Sequence, residues 1–247
     1  MSEDFERSVR HELRTLRIYA AAMTVVTAVA LLGAATQRSA SFDVLTVHRI
    51  NVVDGNGTLR LAIFNKDTEP DPVVGGKAYH NVRTGGKNAG LLFYNDRGDE
   101  QGGLGYAGDV VNGHVEQSGR LSFDPWMQND NVDLYFAQSG AHIEKGLVLS
   151  QTNARPITAF IPAYLRAMKL PRGAARDAAM KPLKAGFAQR SRLFVGVGGD
   201  DHSAVVLSDR QGRARMRMTV APDGAASLDV LDAKGNVTAT FPPPVGK

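Results

Sequence analysis

The chain has 247 residues, with 29 Lys or Arg against 25 Asp or Glu and a net charge of +4. The absence of cysteine excludes disulfide frameworks, thiolate metal sites and cysteine nucleophiles. A 43% apolar content suffices for a core, and 26 glycines with 7% aromatics suit many short strands joined by tight turns better than a helical bundle.

The first segment, residues 1–17, places Phe5, Val9, Leu13 and Leu16 at spacings of four, four and three, with Arg7, Arg10, Arg14 and Arg17 on a neighbouring face. That spacing predicts an amphipathic helix. It fits a collar on an anionic inner leaflet or on a partner, and equally a simple topogenic flank. From Ile18 to Gln37 no residue is charged. About 20 residues at ~1.5 Å each cover the roughly 30 Å of a bilayer core. Residues 18–37 are therefore expected to form one transmembrane helix, anchored by Ile18, Val25, Val26, Val29, Leu31 and Leu32. Four arginines precede the run and only Arg38 follows closely, so the N-terminus is expected in the cytoplasm and the rest outside. A cleaved signal peptide is the rival, with Gly33 and Ala35 as a small-x-small site. The long flank with its acidic residues favours an uncleaved signal-anchor over it.

Residues 41–161 read as a first β-repeat region. Ile50 and Val52 precede Asp54-x-x-Gly57, and Leu59, Leu61 and Ile63 follow it. Leu91 to Gly98 repeats the unit with Asn95 in the Asp position and Gly98 closing it. Asp or Asn bonds the backbone amides ahead, and Gly supplies the left-handed conformation of a bulged hairpin. Less regular strand-like runs lie at 121–123, 132–136, 147–150 and 193–197. Between the first two units, 65–88 contains Pro70, Pro72 and Gly-Gly pairs and reads as an extended loop, either a binding surface or a plain connection.

Residues 162–192 carry eight of the Lys and Arg residues and one Asp, and without them the chain holds 21 basic and 24 acidic residues, a net of −3. The basic character is local, and basic and aromatic residues do not interleave on one face, so nucleic acid is not an expected partner. The segment is expected to be irregular with short helical pieces limited by Pro171, Gly173 and Pro182. It is either a solvated linker or a surface for acidic partners and headgroups. A second β-repeat region, 193–243, holds two successive units, Asp209-x-x-Gly212 and Asp232-x-x-Gly235. The expected fold is all-β, built of repeated antiparallel hairpins after the N-terminal helix. A meander, a sandwich, a partly open barrel and a solenoid all fit the periodicity.

The block Ile50-Asn-Val-Val-Asp-Gly-Asn-Gly-Thr-Leu-Arg-Leu, the block Gly90-Leu-Leu-Phe-Tyr-Asn-Asp-Arg-Gly-Asp-Glu-Gln-Gly-Gly-Leu and the double unit of the tail resemble a group of uncharacterised bacterial proteins. Some of those carry an N-terminal membrane segment. The resemblance covers most of the chain beyond that segment. It implies a β-repeat fold and brings no activity.

The search for chemistry yields few candidates. The six histidines are isolated, and Walker, Gly-x-Ser-x-Gly and His-Glu-x-x-His motifs are absent, so no catalytic, cofactor or metal residues are assigned. Gly103-Leu-Gly105-Tyr-Ala-Gly108 matches a dinucleotide fingerprint in form, but no helix can open after it, and glycine-rich hairpin turns explain it better. The densest polar group, Asp96-Arg97-Gly98-Asp99-Glu100, offers carboxylates for glycoside cleavage or a hard cation, or only turn geometry. Trp126 is expected to pack at a core or rim rather than stack on sugar. The expected protein is a non-catalytic, single-pass binding or scaffold module of the cell envelope, with its β domain in the periplasm. Its expected partners are the membrane and a protein or a second copy of itself. The alternative is an envelope hydrolase working with the carboxylates near Asp96–Glu100.

Overall fold

The computed structural model describes residues 3–36, 39–80, 82–83, 88–152 and 154–243. It divides into two compact units, Met1–Thr46 and Val47–Lys247.

The first unit contains one helix, α1 (Glu3–Thr36), of 34 residues. The amphipathic segment and the uncharged run are thus continuous. Glu6 pairs with Arg10 one turn later at 3.0 Å. Phe5, Leu13, Ile18, Val25, Val26 and Val29 are all exposed. The side chains of Leu31 and Leu32, and all of Arg38, lie outside the described residues. Among the described residues no helix is long and apolar enough to cross a membrane.

The second unit is built on one antiparallel meander. Its strands are β1 (Arg49–Val53), β2 (Leu59–Phe64), β5 (Ala89–Tyr94), β6 (Glu100–Val111), β7 (His114–Phe123), β8 (Val132–Ser139) and β9 (His142–Gln151), followed by β10 (Arg190–Val197), β11 (Ser203–Ser208), β12 (Ala214–Val220), β13 (Ala226–Leu231) and β14 (Val237–Phe241). They form a single sheet of 12 strands in that order, from β1 at one edge to β14 at the other. Of the architectures the periodicity allowed, the meander is the one formed. A two-stranded hairpin, β3 (Val73–Val74) with β4 (Lys77–Ala78), lies in the connection from β2 to β5. Because β9 pairs directly with β10, the strands on either side of the basic segment share one sheet.

Turn chemistry explains the meander. At Asp54–Gly57, Asn95–Gly98, Asp209–Gly212 and Asp232–Gly235 the first residue's carbonyl accepts the glycine amide at 2.8–3.2 Å. The glycines have φ of 77–88°, and the register shifts by one residue beyond each turn, as a bulged hairpin requires. Asn95, Asp209 and Asp232 cap the amides two and four residues ahead at 2.8–3.1 Å, as their residue types lead one to expect. Asp54 departs from this, because its carboxylate turns to Arg60 at 3.6 Å. Two further copies of the turn escaped the motif, one at 198–201 with Asp201 in the left-handed position (φ 62°) and one at 221–224 closed by Gly224. A Cβ at Gly235 would meet open space, so Gly235→Ala isolates the backbone penalty. It is expected to lower stability by about 1–2 kcal/mol in urea titrations followed by the fluorescence of Trp126.

These caps also set an acid limit. The Asp232 carboxyl is held below its ordinary range by the Asn236 side chain and by backbone amides. At Asp229 the Arg217 and Thr240 side chains do the same. At Asp209 desolvation pushes upward, but the Arg213 and Gln211 contacts outweigh it. Lowered carboxyl values contribute stability above the unfolded value that is lost as pH falls through the folded one. The urea midpoint is therefore expected to fall below about pH 4, the ordinary Asp value. In the Asp209→Asn/Asp232→Asn double variant that fall should be shallower.

The register gives the sheet two unlike faces. One row crosses all 12 strands: Ile50, Ile63, Leu91, Leu104, Leu121, Leu134, Leu147, Val195, Val205, Met218, Leu228 and Phe241. Every member is apolar. A second row on the same face runs Phe123, Val132, Leu149, Leu193, Leu207, Met216, Val230 and Ala239. The opposite face is mixed, and its central row includes Gly103, Ser122, Asp133, Arg217, Asp229 and Thr240. At the β2–β5 end of that face Ala62, Phe64, Leu92 and Tyr94 form the buried cluster, joined by Leu59 and by Val73 from the small hairpin.

The connection from β2 to β5 covers part of the mixed face. The connection 65–88, expected as an extended loop, contains the β3–β4 hairpin, and Gly76 there donates to the buried Asp99 carboxylate at 2.6 Å. The basic segment holds two helices, α2 (Ile161–Met168) and α3 (Ala174–Phe187). Pro171 and Gly173 separate them as expected. Pro182, however, lies inside α3 rather than ending a helix, since only one amide bond is lost in a helix of 14 residues. Phe160 packs on Phe187 with ring centroids 4.0 Å apart. The glycines Gly103, Gly105 and Gly108 are not in turns, contrary to the sequence reading, but along β6. A Cβ at Gly103 would come within 2.4 Å of the Leu91 carbonyl, so close strand approach explains that glycine.

A charged groove as the candidate functional site

The mixed face carries a groove of about 750 Å³ over β5 to β9. Its charged lining comes from separate parts of the chain. The loop supplies Glu69 and Arg83, β6 supplies Glu100, β7 supplies Arg120, the β7–β8 connection supplies Asp124 and Asp130, and β8 supplies Asp133.

The groove has two arginine centres. Arg83 bonds both oxygens of Glu100, at 3.3 Å and 2.7 Å, and its Nε lies 3.3 Å from Glu69. Both carboxylates are nearly enclosed, at 13% and 7% side-chain exposure. Burial pushes the Glu100 carboxyl upward, and the Arg83 charge and hydrogen bonds oppose that push. Arg120 reaches Asp130 and Asp133, each at 2.7 Å. Beside this pair Asp124 is pushed up to about 9, first by burial and then by the charge and hydrogen bond of Asp130. Asp124 thus keeps its proton at pH 7, because burial and the charge of Asp130 beside it both disfavour its carboxylate. Its Oδ1 is buried without a hydrogen-bond partner. Tyr94 is pushed up to about 12 by burial and then by Glu100, and its hydroxyl is also buried without a partner.

The acidic run singled out in the sequence is divided between the Asn95–Asp99 turn and the start of β6. Only Glu100 lines the groove. Asp99 is 4% exposed and caps Gly76, and Asp96 is fully at the surface, paired with Arg60 at 2.6 Å. Trp126 is 56% exposed with the Arg97 guanidinium 5.6 Å over its ring. The turn residues Asp54, Gly57, Asn95, Gly98, Asp209, Gly212, Asp232 and Gly235 all sit in hairpin connections. Among the described residues no three His, Cys, Asp or Glu are placed to hold a metal ion. The sequence did not single out Glu69, Arg83, Arg120, Asp124, Asp130 or Asp133. The one local signal was Asp124-Pro125, a turn that sets the acid at the mouth of a strand.

Fold and site together define a single-layer β-meander with a charged groove on one face and an apolar surface on the other. No family model, curated protein or solved structure matches the chain.

Proposed function

We propose that this chain is a non-catalytic scaffold of the bacterial cell envelope, held at the membrane by α1 and presenting its β unit on the outer side of that membrane as a binding surface. The observation that carries the reading is the uncovered apolar face of the 12-stranded sheet, with Leu134 55% and Met218 51% exposed. Monomeric soluble proteins rarely leave a contiguous apolar patch beyond a few hundred Å² open, and larger ones mark interaction surfaces. The exposed apolar residues of α1 after four arginines, and the resemblance of the β blocks to bacterial proteins with a membrane segment, support the anchor. Because the α1 run is Ala-rich, its insertion is weakly favoured on its own, and assembly in the membrane would strengthen it. Fractionation tests this: the full chain should stay with the membrane after a carbonate wash, and protease added outside should remove the β unit. Release by carbonate, or a β unit protected from that protease, overturns the reading.

The raised carboxyl of Asp124, set beside Asp130 in the groove, favours a second reading, an envelope hydrolase. In it Asp124 would be the acid, whereas Glu100, Asp130 and Asp133 are already engaged by arginines. Hydrolysis of an envelope polysaccharide by the full chain, lost in Asp124→Asn without loss of fold, would establish it. Unchanged activity in that variant removes it.

A further inference from the structure

We infer that the apolar face of the sheet is the contact surface between two copies of this chain, packed face to face as a sandwich. The inference rests on the scaffold reading and names its partner.

Size is the first argument. Twelve strands spaced at ~4.8 Å, with rows ~7 Å apart along each strand, give two adjacent rows and their flanks a span of roughly 800 Å², the area each partner contributes to a standard stable interface. Chemistry is the second. The two rows contain no charged residue, and charge returns only one row further on either side, at Lys145, which pairs with Phe136 and Val197, and at Arg190, which pairs with Gln151. A face without charge fits the core of an interface rather than its rim. Shape is the third. A twisted sheet has the same twist as its own copy, so two identical faces can pack ~10 Å apart at the small angle of aligned sandwiches.

The edges argue against lipid as the occupant. Among the described residues β1 and β14 each have one side without a strand partner, and an open edge of unpaired amides and carbonyls does not enter hydrocarbon. A second copy covers the face and leaves both edges in water.

The test uses the full chain in mild detergent, and the absence of native cysteine makes it clean. Light scattering should give twice the chain mass for the wild type. The Leu134→Lys/Met218→Lys variant should give half of that, with an unchanged far-ultraviolet circular dichroism spectrum. Leu134→Cys at the middle of the row should crosslink through a short bismaleimide, and Lys181→Cys on α3 should not. A monomeric wild type overturns the inference, as does a dimer that survives the double lysine variant or a crosslink through Lys181→Cys alone. If the variant misfolds, the cysteine pair alone decides. In vesicles, quenching of a probe on Leu134→Cys by brominated lipid would mean that lipid covers the face, which also overturns it. Carbonate fractionation of the same variants separates failure here from failure of the anchor: a monomer that remains membrane-bound refutes only the dimer.

Discussion

Replacing Arg83 with methionine is expected to destabilise the β unit by about 3–5 kcal/mol at pH 8, because it leaves buried carboxylates without their counter-charge. Arg83 is the only cation bonded to Glu100 among the described residues, and it also lies against Glu69. The loss should be pH-dependent in a known direction. Burial already pushes the Glu100 carboxyl upward, and removal of Arg83 takes away what opposes it. A carboxyl whose folded value lies above its unfolded value keeps its proton longer in the folded state, so stability declines as pH rises through that window. The variant should accordingly lose less stability at pH 5 than at pH 8, because Glu100 is closer to its protonated form at the lower pH. Urea unfolding at the two pH values, followed by Trp126 fluorescence, measures both effects. Equal losses at pH 5 and pH 8 would show that the guanidinium acts by packing alone. A charge-neutral Arg83→Met/Glu100→Gln double variant should be more stable than the single one, since the buried charge is gone.

The second large effect has the opposite sign. Asp124→Asn is expected to stabilise the protein, with a gain that grows as pH rises from 5 to 8. In the wild type the folded state holds the Asp124 proton up to about 9, while the unfolded chain releases it in the ordinary carboxylate range. Between those values the unfolded state binds fewer protons and gains on the folded one at every step of pH. Asparagine keeps the shape and stays neutral without a titrating group. The measurement is the difference in urea midpoint between variant and wild type across that range. A difference independent of pH would mean that Asp124 is ionised in the folded protein, and the acid role in the hydrolase reading would go with it. The two variants also separate the arginine centres. Arg83 sits on the loop, whereas Asp124 belongs to the β7–β8 connection, so their responses report on different halves of the groove.

The fold was legible in the sequence where its information is local. Asp209 to Gly212 and Asp232 to Gly235 specify a turn within four residues, and the alternation of Val205, Leu207, Met216 and Met218 states which side chains share a face. The turn at 198–201 was missed because Asp201 takes the left-handed position in place of glycine, a substitution Asp tolerates but does not announce. Gly103 was misplaced for a related reason: a glycine needed for close strand approach looks in sequence like a glycine needed for a turn. The groove was almost illegible. Glu69, Glu100 and Asp133 are brought together only by register and by a loop folding back, and neither leaves a periodic trace. The acidic run 96–100 drew attention because its members are adjacent in sequence. Asp96 and Asp99 belong to the turn and only Glu100 opens β6, so proximity along the chain was the wrong guide there.

The order of the strands has a consequence for how the protein is made. Every sheet partner of a strand is the strand before or after it, apart from the excursions through the β3–β4 hairpin and through α2 and α3. A sheet of this kind needs few distant encounters, and each hairpin can add to the one already formed as the chain emerges. Its cooperativity is that of a line rather than a globe, with stability passed between nearest neighbours. Opening should begin at the ends, so the amides of β1 and β14 should exchange with solvent sooner than those of β8 and β9, and the groove is built over the inner strands, away from either fraying end.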